Sequence, residues 1–307
     1  MMNHLPIALG ADSFGTTVSQ ETAFEIMDAF ASLGGRILDT ANNYAYYVPE
    51  GEGGESEQAI GRWLARSDRT DMMVMTKVGS MVLDAHAAVS DRVFEGLAPE
   101  VIHRATEACL ARLGIDCIDI LLAHHDHSDA ALLETWTAFS ELVSCGKAKT
   151  VGVSNYSAAR LKELVGLIDK HSLAPLGAVQ VKYTVIDRVC PSEPALYAVF
   201  DTDTKAMLHE VSPDTMVFAY SPLVSGQVFE KSADAEWPQE YDSAGNREKV
   251  EAIQREARAL KVSPSAVVLK QLVDDGIIPV TGTTKPKRLA DNLRLVVPAW
   301  DPKACRR

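Results

Sequence analysis

Eight short runs of apolar and β-branched residues recur along this chain, and stretches with helical periodicity separate them. In the first of these stretches Phe24, Met27 and Phe30 share one helix face, and Gly34 or Gly35 can end the helix. Strands that alternate with helices pair in parallel, so the pattern predicts an α/β fold closed as a (β/α)8 TIM barrel. The predicted strands cover residues 7–11, 36–40, 72–76, 117–123, 150–154, 178–182, 216–220 and 277–280.

Several of these strands are followed by a polar side chain at or just beyond the point where the strand would end. The segments GGRILDTANNY, MTKVG and DILLAHHD supply Asp39, Tyr44, Lys77 and His124. The βα loops of a parallel barrel all open at its carboxyl end, and the active sites of such barrels lie there. We therefore expect these four side chains to meet in one active site at the C-terminal ends of the strands.

The four residue types suit chemistry at an oxygen atom. Tyrosine is a weak acid, with a reference pKa of about 10, so a tyrosine that protonates a substrate needs a neighbouring cation that favours its phenolate. Lys77 is the candidate for that cation, and Asp39 would keep it charged by pairing with it. His124 would orient a carbonyl oxygen as a neutral hydrogen-bond donor.

Each of the four also has a purely structural interpretation. Asp39 could form a turn at a strand end, and Lys77 could be a surface cation. Tyr44 could be an aromatic residue of the rim, and His124 a core histidine with satisfied hydrogen bonds. Unrelated strand ends would rarely supply these residue types on consecutive strands, and the combination therefore favours the catalytic interpretation.

Composition narrows the classes of function. The chain has 307 residues, 47% of them hydrophobic, which is enough for a sizeable core in a single domain over residues 1–307. Its net charge of −12 argues against a nucleic-acid partner, because phosphate-backbone binding needs clustered Lys and Arg. No stretch approaches bilayer-spanning length and the N-terminus lacks a signal-peptide pattern, so we expect a cytoplasmic protein without a membrane partner.

The cysteines and histidines give little sign of a metal centre. Five cysteines are scattered without a CxxC pair, which indicates neither a disulfide framework nor a thiolate zinc site. We predict no metal. The alternative is a metal-dependent barrel hydrolase with His124, Asp126 and His127 as ligands, which the nearby cation Lys77 and the few carboxylates at other strand ends disfavour.

The segments GGRILDTANNY, MTKVG, DILLAHHD and VGVSNY, in this order and spacing, resemble the aldo-keto reductases. GESEQAIGRWL, LGIDCIDILLAH, AYSPLVSG and PVTGTTKPKRLADN extend the similarity over nearly the whole chain. The resemblance implies an NAD(P)H-dependent oxidoreductase that reduces an aldehyde or ketone to an alcohol, or runs the reverse reaction. It favours Tyr44, five residues after Asp39, as the general acid, with Tyr46 and Tyr47 as competitors.

The resemblance also implies the residues that hold the cofactor. Ser154, Asn155 and Gln180 would hold the nicotinamide carboxamide, and Tyr220 would stack on the nicotinamide ring. The other contacts would be Ser221, Leu223 and Ser225 at the pyrophosphate, Gly282, Thr283, Thr284 and Arg288 at the adenosine 2′-phosphate, and Asp291 and Asn292 near the adenine. A final αβ unit with a solvated basic helix start is the structural alternative for this last segment.

Three features depart from the family pattern. Gly282 stands where many NADP-preferring relatives carry a lysine, although Lys285 and Lys287 could compensate, so NADP is favoured and NAD is the alternative. The connection Ala45 to Glu55 is longer than is typical, and its tyrosines could wall an apolar or sugar-like substrate. The segment HHDH at 124–127 lacks the tryptophan that often follows the family's histidine.

A binding protein of the same fold is a further alternative. Such a redox-sensing barrel would hold a nicotinamide cofactor and turn over negligibly. The intact set of Asp39, Tyr44, Lys77 and His124 argues against it.

The expected partner is a small-molecule carbonyl compound or alcohol, and the sequence indicates no particular natural substrate, reaction direction or oligomeric state.

Overall fold

The computed structural model describes residues 5–49, 51–66, 71–84, 92–127, 130–189, 200–226, 228–231 and 235–297. Within these ranges eight parallel strands close into a barrel in chain order, and β8 pairs with β1. The predicted (β/α)8 barrel is thereby confirmed. The strands are β1 (Ala8–Gly10), β2 (Ile37–Asp39), β3 (Met73–Val78), β4 (Ile118–Ala123), β5 (Ala148–Ser154), β6 (Ala178–Lys182), β7 (Met216–Tyr220) and β8 (Ile278–Thr281).

Helices surround the barrel, and their ends follow the sequence signals. The helix after β3 begins with a proline at Pro99 and is followed by Gly114 at φ 67°, a left-handed conformation that glycine adopts without strain. The described helices are α1 (Gln20–Ser32), α2 (Glu55–Leu64), α3 (Pro99–Leu113), α4 (Leu132–Ser144), α5 (Ala158–His171), α6 (Thr202–Val211), α7 (Ala244–Leu260), α8 (Pro264–Asp274) and α9 (Pro286–Leu293).

The barrel interior explains why polar groups gather at one end. Its apolar cluster includes Ile37, Met75 and Phe218, all buried. Successive side chains of a strand point to opposite faces, so the residue two positions further along each strand points inward again. At that position β2 carries Asp39 and β3 carries Lys77, and the inward-facing rows therefore change from apolar to polar at the carboxyl end.

Two long connections of this chain follow strands. The first, Ala45 to Glu55, comes after β2 and leads into α2. The second, from Gly226 to Arg247, comes after β7, and its described part includes a 3-10 turn at Gln239–Tyr241. In that turn Glu240 pairs with Lys182 at the end of β6, which fixes the second connection against the carboxyl end of the barrel.

Candidate active site

Lys77 stands at the centre of a buried hydrogen-bond network. Its Nζ donates to Oδ1 of Asp39 at 2.8 Å, to the backbone oxygen of Thr40 at 2.7 Å and to Oη of Tyr44 at 3.3 Å. An ammonium group has three donors, and all of them are used here. Lys77 is completely buried. It lies within β3 and pairs with Leu122 of β4, whereas the sequence predicted a position just beyond the strand.

Hydrogen bonds from its backbone attach the loop that carries Tyr44 to the start of α2. The carboxylate of Glu55, at the start of α2, accepts hydrogen bonds from the backbone nitrogens of Ala45 at 3.1 Å and Gly53 at 3.0 Å. The backbone oxygen of Tyr44 accepts a further bond from the nitrogen of Gly54 at 2.9 Å. A carboxylate at a helix start also interacts favourably with the helix dipole, so α2 and the Tyr44 loop hold each other in place.

Burial sets the protonation state of Tyr44. Desolvation raises the pKa of Tyr44 well above its ordinary value, and the negative charges of Asp39 and Asp12 raise it further. This net direction is opposite to the one expected from the sequence, where Lys77 was to favour the phenolate. The reason is that the cation is itself paired with Asp39 and that the phenol is partly buried. The hydroxyl thus keeps its proton at neutral pH.

His124 follows β4 and lies edge-on to Tyr44, with 5.8 Å between the ring centroids. Burial lowers its pKa well below the ordinary value, and the neighbouring charges of His125 and Lys77 act in the same direction. The imidazole is therefore neutral, in agreement with the state expected from the sequence. Its Nδ1 is buried and has no hydrogen-bond partner among the described residues.

The carboxyl ends of β5, β6 and β7 carry a second network of amides and hydroxyls. Nδ2 of Asn155 donates to the backbone oxygen of His124 at 3.1 Å and to Oγ of Ser154 at 3.0 Å. Oη of Tyr220 donates to Oδ1 of Asn155 at 2.7 Å. Nε2 of Gln180 donates to Asp39 at 2.7 Å, which joins this network to the one around Lys77.

Both networks face one cavity of about 560 Å³ at the carboxyl end of the barrel. Most of the residues predicted for the site line it: Asp39, Tyr44, His124, Ser154, Asn155, Gln180, Tyr220, Ser221, Leu223, Gly282, Thr283, Thr284, Arg288 and Asn292. Lys77 lies behind this wall and Asp291 is exposed outside it. Ser225 lies in the 3-10 turn at Val224–Gly226, and its side chain is outside the described part.

The wall residues fit a nicotinamide dinucleotide. Among the described residues, Oε1 of Gln180 and the hydroxyl proton of Ser154 have no partner, which leaves an acceptor and a donor for a carboxamide. At the other end of the cavity Arg288 forms no ion pair within the described ranges, so its guanidinium can receive a phosphate. A Cβ on Gly282 would lie 3.3 Å from the oxygen of Gly10, so a side chain there would crowd β1.

Some wall residues were missed or left unassigned from the sequence. Asp12 and Ser13 follow β1, and His125 follows His124; all three line the cavity together with Tyr46 and Tyr47. The signal for Asp12 was present, since the segment ADSFG begins at the end of the first predicted strand. One acidic residue at a strand end, with no motif around it, does not indicate a site. Only closure of the barrel brings Asp12 close to the ends of the other strands.

The ligand set of the hydrolase alternative is not assembled in the structure. Asp126 instead pairs with Arg160 at 3.0 Å. Within the described ranges no group of three or more His, Cys, Asp or Glu side chains could hold a metal ion. None of the helices in these ranges has the length and apolar character needed to cross a membrane.

Comparisons with known proteins show the family and the fold of this chain. The model of the aldo/keto reductase family matches residues 6–303. Aldo-keto reductase str7 from Strobilurus tenacellus is 28% identical over 305 residues, which cover 93% of this chain and 80% of the relative. The crystal structure of the thermostable aldo-keto reductase Tm1743 with the inhibitor epalrestat has a TM-score of 0.71 over 98% of this chain and 93% of that one; at 20% identity it shows the fold alone.

Other relatives match over a shorter length. An aryl-alcohol dehydrogenase from Pestalotiopsis microspora is 28% identical over 190 residues, which cover 60% of this chain. Those residues are 48% of the relative, so the chain aligns with about half of that protein. The family match, in contrast, extends over nearly the whole sequence, and its members are NAD(P)H-dependent carbonyl reductases. The chain therefore belongs to the aldo/keto reductase family.

Proposed function

We propose that this protein reduces an aldehyde or ketone to an alcohol with a nicotinamide cofactor, and that Tyr44 is the proton donor. The observation that carries the proposal is the 3.3 Å contact of Nζ of Lys77 with Oη of Tyr44 beside a cavity. A buried cation that touches a phenol and is held by a carboxylate stabilises the phenolate formed when the phenol gives up its proton. The reverse oxidation would use the same groups.

When bound, the reduced nicotinamide supplies a hydride to the carbonyl carbon. The carbonyl oxygen gains negative charge in that step and becomes a stronger base than a phenolate. Tyr44, which the raised pKa keeps protonated, then transfers its proton to this oxygen. Lys77 donates a hydrogen bond to the resulting phenolate, and its bonds to Asp39 and to the oxygen of Thr40 keep Nζ in position.

His124 would orient the carbonyl oxygen. A neutral imidazole donates one hydrogen bond and carries no charge that would repel Lys77 or weaken its contact with Tyr44. The side chain is held in place by burial, and its backbone nitrogen donates to the oxygen of Val78 at 2.9 Å. A fixed donor of this kind needs no reorganisation as charge develops on the oxygen.

The second network would hold the cofactor. Ser154, Asn155 and Gln180 have the donors and acceptors for a carboxamide, and the ring of Tyr220 lies at the end of β7 where it can stack on a nicotinamide. Ser221 and Leu223 would line the pyrophosphate. Thr283, Thr284 and Arg288 at the far end favour NADP over NAD, with Asn292 near the adenine.

The experiment is a steady-state assay of NADPH oxidation with one well-reduced aldehyde. Tyr44→Phe should bind NADPH normally by fluorescence titration and lower turnover by about 10²- to 10⁴-fold, as expected for a lost general acid. Tyr46→Phe and Tyr47→Phe are the matched controls, since both tyrosines line the same cavity without touching Lys77. Normal turnover of Tyr44→Phe together with an inactive Tyr46→Phe or Tyr47→Phe would show that Tyr44 is the wrong tyrosine for the proton donor.

Two further measurements separate the alternatives. Protein treated with a chelator should keep its full reductase activity, because the proposed electrostatics come from Lys77 and His124; a loss restored by zinc or manganese would favour the metal-dependent class. Sustained consumption of NADPH by an aldehyde would argue against a redox-sensing barrel that only binds the cofactor.

A further inference from the structure

One charged side chain in the cavity wall has no part in the reaction proposed above. Asp12 follows β1 and lines the cavity together with Tyr44, Tyr47 and His125. Its backbone oxygen accepts a hydrogen bond from Oη of Tyr47 at 2.9 Å. This bond joins the β1 loop to the β2 loop, so Asp12 is fixed beside the tyrosine that would meet the substrate.

The carboxylate of Asp12 accepts few hydrogen bonds from the described part of the protein. It accepts a hydrogen bond from Oγ of Ser13 at 3.3 Å, and no cation within the described ranges forms an ion pair with it. An ionised carboxylate has two oxygens with about four lone-pair positions. Most of these positions are therefore open to water or to a ligand in the cavity.

The surroundings make hydrogen-bond donors valuable at Asp12. Desolvation at the cavity wall raises the pKa of the carboxyl; the Ser13 hydrogen bond lowers it, and the charge of Asp39 raises it again. Asp12 is exposed where it lines the cavity, so a bound substrate takes water away from its carboxylate; a hydroxyl group replaces the lost hydrogen bonds, and an apolar group does not. A second carboxylate brought into this cavity would be repelled by Asp12, whereas the charge of Asp39 is paired with Lys77.

We propose that Asp12 is a specificity-determining residue that selects carbonyl substrates with hydroxyl groups next to the carbonyl, such as hydroxyaldehydes and aldoses, over apolar and carboxylated ones. This inference rests on the proposed reductase function. The other groups around Asp12 suit such a substrate. Ser13 and His125 are polar, and the rings of Tyr46 and Tyr47 form an edge-to-face pair, 5.5 Å between centroids, against which the C–H face of a sugar can pack.

The test uses aldehydes that differ in the groups beside the carbonyl: glyceraldehyde, propanal with the same three carbons and no hydroxyl, and succinate semialdehyde with a carboxylate. The unmodified protein should prefer glyceraldehyde. Asp12→Asn keeps the shape and removes the charge, so it should lower the ratio of kcat/KM for glyceraldehyde to kcat/KM for propanal by about tenfold or more, mainly through KM. The same change should raise the relative kcat/KM for succinate semialdehyde.

Asp203→Asn is the matched control, because Asp203 is an exposed acid in the first turn of α6 and should leave both ratios unchanged. Equal losses on glyceraldehyde and propanal would assign Asp12 a structural role and overturn the proposal. A preference of the unmodified protein for propanal, or for succinate semialdehyde, would overturn it as well.

A readout without turnover separates this inference from the proposed reaction. Saturation-transfer NMR compares glycerol with 1-propanol, the alcohols that correspond to two of the aldehydes, in the presence of oxidised cofactor. Glycerol should give the stronger signal, and Asp12→Asn should abolish the difference. If no aldehyde is reduced with NADPH or NADH while this difference is seen, the reductase function fails and the Asp12 site stands; if the two alcohols give equal signals with the unmodified protein, the Asp12 site fails.

Discussion

Nζ of Lys77 lies 2.8 Å from the carboxylate of Asp39, and the two side chains are 0% and 5% exposed. Burial of an ion pair is costly in desolvation, which the attraction between the charges offsets only when the geometry is good. Here the remaining donors of Lys77 are satisfied by Thr40 and Tyr44, and Asp39 accepts a further bond from Gln180. The pair is therefore part of the fold as well as of the proposed chemistry.

Removal of both partners together should cost less stability than the sum of the two single removals. Lys77→Met and Asp39→Asn each leave one buried group without its counterpart, so each should lower the free energy of unfolding by about 3–5 kcal/mol. The double variant should lose clearly less than the sum of the two, as measured by urea unfolding at pH 7.

The control for this comparison is Lys149→Met. Lys149 pairs with Asp119 at 2.7 Å, but its side chain is 66% exposed, so its loss should change stability by less than about 1 kcal/mol. Strictly additive effects of the two buried changes would contradict the coupling. Turnover should remain low even in the double variant, because no cation is left beside Tyr44.

The proposed preference for NADP would depend mainly on one guanidinium at the cavity rim, that of Arg288. Arg288→Gln should weaken NADPH binding by about tenfold or more and change NADH binding little, since only NADPH carries the 2′-phosphate. Dissociation constants come from fluorescence titration of both cofactors. Arg294→Gln, which removes an exposed charge at the other end of α9, should leave both constants unchanged. Equal affinities for NADPH and NADH in the unmodified protein would overturn the assignment.

The parts of the site on strands could be predicted from the sequence. Alternation along a strand fixes which face a residue occupies, and closure of the barrel brings all strand ends together. Asp39 and Gln180 both lie on predicted strands, and closure of the barrel brings them within hydrogen-bond distance although 141 positions separate them in the chain. The sequence did not indicate how deeply Lys77 is buried, because the end of β3 depends on its pairing with β4.

The loops could not be predicted to the same degree. The orientation of Tyr44 depends on hydrogen bonds from the loop backbone to Glu55, and a loop has no periodicity from which such contacts can be inferred. The pKa of Tyr44 was expected in the wrong direction for a related reason. Its value depends on how much water the closed loop excludes, and residue types alone do not give that.

Acidification should destabilise the fold through the histidines near the active site. Burial lowers the pKa of His125 to about 4, with the charges of His127 and Lys77 acting in the same direction. An unfolded histidine has a pKa of about 6.5, so below that pH the unfolded state binds more protons than the folded state. His125 therefore leaves the free energy of unfolding at its full value above about pH 6.5 and lowers it as the pH falls toward 4.

The measurement is the free energy of unfolding in urea between pH 7 and pH 4. Each such histidine adds up to about 1.4 kcal/mol per pH unit to the slope. His125→Gln should reduce the slope by up to that amount, and glutamine can keep the hydrogen bond to Ser80, which is 2.9 Å long. His171→Gln, an exposed change at the end of α5, should leave the slope unchanged. An unaltered slope in His125→Gln would contradict the assigned protonation.

Two glycines inside helices should respond oppositely to alanine. Alanine has a higher helix propensity than glycine by about 1 kcal/mol, so both changes would stabilise an isolated helix. At Gly61 in α2 the new Cβ would lie 2.4 Å from the backbone oxygen of Arg112 and 2.8 Å from that of Leu113. At Gly166 in α5 no atom lies within 4 Å of the new Cβ.

Backbone atoms at the end of α3 cannot move aside as a flexible side chain could, so Gly61→Ala must push α2 away from α3. We expect it to lower the free energy of unfolding by about 1–3 kcal/mol, whereas Gly166→Ala should raise it by about 0.5–1 kcal/mol. Gly61→Ala should also lower turnover, because Glu55 at the start of α2 holds the loop of Tyr44. If urea unfolding shows both variants equally stabilised, helix propensity outweighs the contact, and the close packing of α2 on α3 is not a constraint on this fold.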